Sequence, residues 1–188
     1  VPKWISIALI LEEGLELAEL ESVLSSIRNA ALEAGVEVVT GDTKVVENGK
    51  ADGMFITASG VGVIPARVNM TAKNIRPGDK IIVSGRLAEH GVAVLNARHN
   101  LGLKSGITSD GAPLNGLTAA VLKNHASNIR VMRDLTRGGL AGALNELARD
   151  CGLTFTIDQR RVPVSGEVSA ACAILGMDPL AMANEGKL

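Results

Sequence analysis

The chain has 188 residues, a formal net charge of -1 and charges of both signs mixed along its length. These features indicate neither a nucleic-acid surface nor an electrostatically bound membrane partner, and no apolar run reaches the roughly 18 residues of a membrane span. The two cysteines, Cys151 and Cys172, form no CxxC pair. We therefore expect them to be reduced core residues of a cytoplasmic protein.

The two ends of the sequence differ from those typical of a complete domain. Val1 is followed almost at once by an apolar run, and the sequence reaches Leu188 with no terminal helix or polar tail. We therefore expect this chain to be a segment of a longer protein.

The first third of the chain predicts strands and one helix. Residues 5–11 have the composition of a buried strand. Residues 17–34 carry apolar side chains at helical spacing and are followed by Gly35, which predicts a surface helix ending at that glycine. A strand over residues 37–40 and another buried strand over residues 53–64 complete this part.

The sequence Gly-Asp-Thr-Lys at residues 41–44 is predicted to form a turn between two valine-rich strands. A carboxylate, a hydroxyl and an ammonium group side by side, from Asp42, Thr43 and Lys44, could hold a metal, a phosphate and a proton-transfer group. The alternative is a hairpin turn in which Asp42 bonds the local backbone and Lys44 is solvated. The residues alone leave both interpretations open.

The remainder of the chain predicts alternating strands and helices after a domain boundary near residues 71–77. Strands are predicted over residues 80–84 and 153–157, a mobile glycine- and serine-rich loop over 104–113, and helices over 91–99, 114–125, 138–151, 168–175 and 180–183. The loop at residues 85–91 would follow a strand, where ligands often bind in α/β folds. His90 could donate to a phosphate there, or it could be a structural hydrogen-bonding residue.

Residues 131–140 predict a strand end, a glycine turn and the start of a helix. A helix that begins at Gly138 or Gly139 directs free N–H groups toward two arginines, Asp134 and Thr136, which is the usual geometry for a phosphate site. A carboxylate facing an anion needs a cation between them, so this motif suggests a magnesium nucleotide. The alternative is an ordinary strand-to-helix connection with Asp134 or Thr136 as the N-cap.

Four motifs in this order, GDTKVV, GKADG, RDLTRGG and NEGKL, resemble the HypE family of [NiFe]-hydrogenase maturation proteins over essentially the whole chain. This family lies in the PurM-like superfamily, with aminoimidazole ribonucleotide synthetase and selenophosphate synthetase. The resemblance implies an α+β fold with two incomplete domains. Residues 1–72 would form the N-terminal sheet-and-helix domain, which builds a barrel in a homodimer with ATP at its edges, and residues 73–188 the C-terminal α/β sandwich.

The resemblance also implies a reaction. The full-length protein would use ATP to dehydrate an S-carboxamide on its own C-terminal cysteine to a thiocyanate, which supplies the cyanide ligand of the NiFe site. Its partners would be the carbamoyltransferase HypF and the HypC–HypD complex. Because the Pro-Arg-Ile-Cys tail and the glycine-rich N-terminal region of the family are absent here, we expect this segment to be inactive. The alternatives are another PurM-like ATP-dependent kinase or synthetase, or a dimerisation and docking module.

The family's functional residues carry over to matching positions. Glu185 is predicted to be the base that removes protons from the amide nitrogen, and Lys44 to relay protons or hold the carbamoyl oxygen. Asp42 and Asp134 are predicted Mg²⁺ ligands. The predicted ATP-contacting residues are Asp42, Thr43, His90, Gly91, Thr136, Arg137, Gly138, Gly139 and Asn184. All of these loops are expected to meet at one anion-and-metal pocket.

Overall fold

A computed structural model describes residues 2–103 and 106–188 of the chain. The predicted mobile loop lies partly outside these residues, at Lys104 and Ser105. The chain divides into two compact units. The first contains the described residues up to Val68 together with Asn115–Asn124, and the second contains Asn69–Leu114 and His125–Leu188. The predicted domain boundary at residue 72 stays a prediction.

The first unit contains a three-stranded sheet with β1 in its centre. Strand β1 (Pro2–Glu12) pairs in parallel with β2 (Glu37–Val46) and antiparallel with β3 (Met54–Gly62). Parallel neighbours need a long crossover connection, and helix α1 (Leu17–Ala34) lies in it. The predicted helix is therefore confirmed, and Gly35 ends it in the left-handed conformation at φ 62°.

Three predictions for this unit are wrong. The strand at residues 5–11 forms, but only Leu9 among these residues is buried. The GDTK sequence forms no turn, because residues 41–44 continue β2 and pair with residues 7–10 of β1. Gly41 permits this close approach, since a Cβ there would lie 2.8 Å from the carbonyl oxygen of Ile7. Strand β3 is exposed over nearly its whole length rather than buried. Its apolar residues reflect strand propensity, and within this unit they remain uncovered.

In the described part of the second unit, the regular secondary structure is helical. It contains α2 (Glu89–His99), α4 (Gly139–Cys151) and α5 (Gly166–Leu175), while α3 (Asn115–His125) belongs to the first unit except for its last residue. These four helices confirm the predicted ones to within two residues. The predicted helix at residues 180–183 is instead a single 3₁₀ turn, Pro179–Ala181. The α+β fold class is confirmed.

The strands predicted in the second unit are not formed among the described residues. Residues 80–84, 131–134 and 153–157 have no regular structure. A strand needs a ladder of hydrogen bonds to a neighbour. Among the described residues, the apolar segment at residues 80–84 makes one backbone hydrogen bond to another segment, in which the Ser84 N–H donates to the Leu188 carbonyl at 3.0 Å. Apolar composition therefore predicted strands here, although these segments have no neighbouring strand to pair with in the part of the chain that the structure describes.

The core of the second unit fixes the loops that carry the candidate site residues. Leu87 and Ala88 are fully buried just before His90, Leu135 is buried just after Asp134, and Met182 is buried just before Asn184. Two hydrophobic clusters contain these residues; their buried members are Ala88, Val92, Val168, Ala171, Cys172 and Met182 in one and Leu87, Leu135, Leu140 and Ala143 in the other. Packing therefore holds each candidate loop beside the core.

Other predictions concern the membrane and the cysteines. Among the described residues, no helix combines the length and the apolar character needed to cross a lipid bilayer. Both cysteines are free thiols; Cys172 is buried and Cys151 is half-buried. Burial raises the pKa of the Cys172 thiol, which disfavours the nucleophilic thiolate and agrees with the predicted packing role.

Candidate functional site

The first unit displays the GDTK side chains on β2, an edge strand. Asp42, Thr43 and Lys44 are all exposed. Side chains alternate along a strand, so Asp42 and Lys44 share one face of the sheet while Thr43 lies on the other. The Asp42 carboxylate accepts a hydrogen bond from the Thr43 N–H at 2.9 Å. The strand thus places the predicted metal ligand and the predicted catalytic lysine on the same side.

In the second unit, Asp134 lies between two donors. Its Oδ1 is 2.6 Å from a terminal nitrogen of Arg133, and the Thr136 hydroxyl donates to Oδ2. The other terminal nitrogen of Arg133 is 2.8 Å from a carboxylate oxygen of Glu146 on α4. The hydrogen bond from Thr136 and the charge of Arg133 hold the pKa of Asp134 below its usual value. Asp134 is therefore an ionised carboxylate with both oxygens engaged.

Helix α4 begins at a pair of glycines that both have left-handed backbone conformations. Gly138 has φ 80° and Gly139 has φ 59°, a conformation that residues with side chains adopt at a cost. A Cβ on Gly139 would also lie 2.5 Å from the Met182 carbonyl oxygen. The Gly139 N–H already donates to the Thr136 carbonyl at 3.1 Å. Only the later N–H groups of the first helical turn therefore remain for an anion, with Arg137 exposed beside them.

Asn184 joins three segments of the second unit. Its side-chain oxygen accepts from the Ala88 N–H at 2.8 Å, and its amide nitrogen donates to the carbonyls of Leu135 at 3.1 Å and Met182 at 3.0 Å. Asn184 is 1% exposed. Its side chain thus holds the loops before His90, after Asp134 and before Glu185 next to one another, and its predicted contact with ATP stays a prediction.

Glu185 faces His90, so two predicted site residues of the second unit lie next to each other here. The Nε2 of His90 is 3.8 Å from a carboxylate oxygen of Glu185, and its Nδ1 is 2.8 Å from the Ser109 hydroxyl. Gly91 packs α2 closely against the same segment, because its N–H donates to the Ala183 carbonyl at 3.0 Å and a Cβ there would be 2.8 Å from the Met182 side chain.

Four residues around these positions were not predicted from the sequence: Ser109, Asp110, Glu146 and Lys187. Asp110 and Lys187 form an ion pair of 2.9 Å, with side chains 1% and 14% exposed. Ser-Asp-Gly at residues 109–111 indicates only a turn. No local pattern tells which distant lysine would bury that carboxylate, so sequence reasoning had no signal for this pair.

The described residues do not by themselves fit a magnesium site. No group of three or more His, Cys, Asp and Glu side chains lies close enough together to hold a metal ion among them. Asp134 has both oxygens occupied by Arg133 and Thr136, and a guanidinium beside the carboxylate opposes a second cation. Asp42 belongs to the first unit, so the pocket predicted to unite it with Asp134 and Glu185 stays a prediction.

The sequence matches one family of proteins in two parts. Residues 1–64 match the model described as AIR synthase related protein, N-terminal domain, and residues 76–188 match AIR synthase related protein, C-terminal domain. The carbamoyl dehydratase HypE of Azotobacter vinelandii is 51% identical over 187 residues, which cover 100% of this chain and 54% of that protein. The chain thus spans about half the length of the curated relatives it matches.

Solved structures show the same similarity. The HypE–HypF complex superposes with a TM-score of 0.95 at 43% identity, over 99% of this chain and 61% of that one. HypE in complex with ATP gives a TM-score of 0.95 at 43% identity, over 99% of this chain and 55% of that one.

Proposed function

The chain belongs to the AIR synthase related protein family, and on this premise we propose that it is the central part of an ATP-dependent carbamoyl dehydratase. The full-length protein would convert an S-carboxamide on its own C-terminal cysteine into a thiocyanate. That product supplies the cyanide ligand of a NiFe hydrogenase. The single observation that carries the proposal is identity of about half the residues, along the whole chain, to proteins named carbamoyl dehydratase HypE.

The chemistry asks for a base near the amide nitrogen. ATP supplies the phosphoryl group that makes the amide oxygen a leaving group. The nitrogen must then give up its protons as that oxygen departs, so that the C–N bond becomes a triple bond. Glu185 is suited to accept a proton because it is a partly exposed carboxylate, 43% exposed, held beside an imidazole. We assign Lys44 the role of holding the carbamoyl oxygen or relaying a proton.

Nucleotide binding is proposed for the turn before α4 and for the GDTK strand. A solved relative is a HypE in complex with ATP, which supports ATP as the cofactor here. The N-terminus of α4, with Arg137 exposed beside it, has the dipole and donors that stabilise phosphate. Magnesium would take most of its ligands from phosphate and water. Asp42 and Asp134 each stay a proposed ligand of that ion, and for Asp134 this role requires its carboxylate to release Arg133.

The sheet of the first unit supports the proposed homodimer. Its strands β1 and β3 expose the large apolar side chains of Trp4, Ile10, Phe55 and Val61 on one face of the sheet. An apolar surface of this kind usually marks an interface. We also propose HypF and a HypC–HypD complex as partners in the cytoplasm; a solved relative is a HypE–HypF complex. The same apolar surface is also consistent with the alternative function, in which this segment is a dimerisation and docking module without catalytic activity.

The test uses the full-length protein with its C-terminal cysteine carbamoylated. Mass spectrometry of that cysteine peptide, with and without ATP, should show the ATP-dependent loss of one water. Omission of nucleotide, and a variant without the terminal cysteine, are the controls. A protein that binds ATP but phosphorylates an added small molecule, leaving the peptide unchanged, would support the alternative kinase or synthetase and exclude the dehydratase.

A further inference from the structure

We propose that Ser109 and Asp110, neighbours in one loop, position Glu185 for its reaction, and that His90 serves Glu185 rather than the nucleotide. This inference rests on the proposed function, in which Glu185 is the base. Ser109 and Asp110 lie outside the motifs recognised in the sequence. Two separate sets of contacts support it, one to the side chain of Glu185 and one to its backbone.

The first set orients the imidazole that faces the carboxylate. The Ser109 hydroxyl oxygen accepts from the Gly111 N–H at 3.1 Å and lies 2.8 Å from His90 Nδ1. With the Gly111 N–H as its donor, the hydroxyl is free to direct its own proton at Nδ1. The neutral ring then carries its proton on Nε2, the nitrogen that faces Glu185 at 3.8 Å. A Ser109 hydroxyl that donates to Nδ1 would thus favour the tautomer that donates toward the carboxylate.

The second set fixes the backbone of Glu185. Its N–H donates to Asp110 Oδ1 at 3.0 Å, and the other oxygen of Asp110 is paired with Lys187, two residues further along the chain. Between them, Gly186 lies against the loop so closely that a Cβ would be 1.9 Å from the Asp110 carbonyl oxygen. Asp110 therefore touches the residues on both sides of Gly186.

Burial and charge explain why these contacts are specific. The Asp110 side chain is 1% exposed, so its charge needs compensation, and Lys187 supplies it from the same segment that carries Glu185. His90 has one ring nitrogen turned to Ser109 and the other toward Glu185. Both nitrogens are thus directed at protein groups, which leaves neither directed at a phosphate.

The experiment compares variants of the full-length carbamoylated protein in a single-turnover assay of ATP-dependent water loss, with ATP affinity measured by titration calorimetry. Ser109→Ala and His90→Gln should each slow the reaction about 10-fold, since orientation of a proton-transfer group contributes at that level or above. ATP affinity should stay within about twofold of the wild type. Ser109→Thr keeps the hydroxyl and should restore the rate. The matched control is Ser127→Ala, whose hydroxyl contacts only the adjacent Asn128 at 3.5 Å among described residues.

Asp110→Asn tests the second set of contacts, because it keeps the acceptor for the Glu185 N–H and removes the charge. It should slow the reaction less than Asp110→Ala, which removes both. Equal rates for Ser109→Ala and the wild type, or a His90→Gln variant that loses ATP affinity at an unchanged rate of water loss, would overturn the inference while leaving the dehydratase in place. If the wild-type protein showed no ATP-dependent loss of water, the proposed function and this inference would both be refuted.

Discussion

The GDTK strand and the Asn184–Glu185 segment are organised in different ways, although both carry residues assigned to the same reaction. Asp42, Thr43 and Lys44 are exposed on an edge strand, and the one side-chain hydrogen bond of the three is between neighbours. Asn184 is buried and its side chain makes three hydrogen bonds, while Glu185 is held by Asp110 and faces His90. The Asn184–Glu185 segment is therefore held in place by contacts within its own unit, whereas the side chains of Asp42, Thr43 and Lys44 are exposed on a strand.

This difference predicts which substitutions destabilise the protein and which change only its activity. Changes in the Asn184–Glu185 segment should alter the free energy of unfolding as well as the reaction. Changes of the exposed Asp42, Thr43 and Lys44 on the GDTK strand should alter the reaction alone.

Gly186→Ala should produce the largest loss. The new Cβ would lie 1.9 Å from the Asp110 carbonyl oxygen and 2.9 Å from the Ala112 nitrogen, so backbone must move on one side. We expect a loss of about 3 kcal/mol in the free energy of unfolding, measured with urea on the full-length protein. Gly116→Ala in α3 is the matched control, because nothing lies within 4 Å of its Cβ position. It should be neutral or slightly stabilising, and equal losses for both would contradict the close packing.

Asn184→Ala should have the next largest effect. It leaves the Ala88 N–H and the Met182 carbonyl without their side-chain partner in a buried place, while the Leu135 carbonyl keeps the backbone N–H of residue 184 as its donor at 3.0 Å. A buried polar group without a partner costs roughly 1–3 kcal/mol, so we expect a loss of about 2–3 kcal/mol in the urea experiment. Asn145→Ala is a suitable control, since Asn145 is exposed and bonds one carbonyl of its own helix. A loss no greater than that of the control would refute the role of Asn184 in joining three segments.

Thr136→Val tests the electrostatics of Asp134. The Thr136 hydroxyl is the main cause of the lowered pKa of Asp134, with Arg133 adding to it. Its removal should raise the pKa of Asp134 toward the ordinary value of 3.8, which NMR titration of the carboxyl carbon would show.

The sign of the linked effect on stability follows from the direction of that shift. A lowered pKa stabilises the folded state above the unfolded-state pKa, and this stabilisation is lost as the pH falls through the folded-state pKa. The wild type and Thr136→Val should therefore differ above pH 3.8 and converge in stronger acid. A constant difference at all pH values would assign the effect to packing instead.

Lys44→Ala should change stability least. Lys44 is exposed on β2, and substitutions at such positions usually alter the free energy of unfolding by less than about 0.5 kcal/mol. The same variant should abolish ATP-dependent water loss in the full-length protein, because we assign Lys44 to the reacting carbamoyl group. On one preparation of the variant, thermal melting followed by circular dichroism measures stability, and mass spectrometry measures the loss of water. Loss of folding with loss of activity would place Lys44 in a structural role.

The sequence predicted the parts of this molecule that depend on local pattern. The bounds of α1, its glycine stop and the helix after Gly138 follow from apolar spacing and conformational preference. The errors arose where a residue's role depends on a distant partner. Gly41 resembled a turn residue, but it sits in a strand because β1 approaches it closely. The burial of Asp110 depends on Lys187, which no local pattern reveals.

We propose that contacts with Asp110 and His90 hold Glu185 in position to act as the base of a dehydratase. The most direct test of this claim is single-turnover, ATP-dependent loss of water from the carbamoylated full-length protein carrying Glu185→Gln, with Glu33→Gln on α1 as control. We predict that Glu185→Gln binds ATP and is carbamoylated normally but retains at most about a hundredth of the wild-type rate of water loss. Water loss at the wild-type rate in Glu185→Gln would contradict the claim.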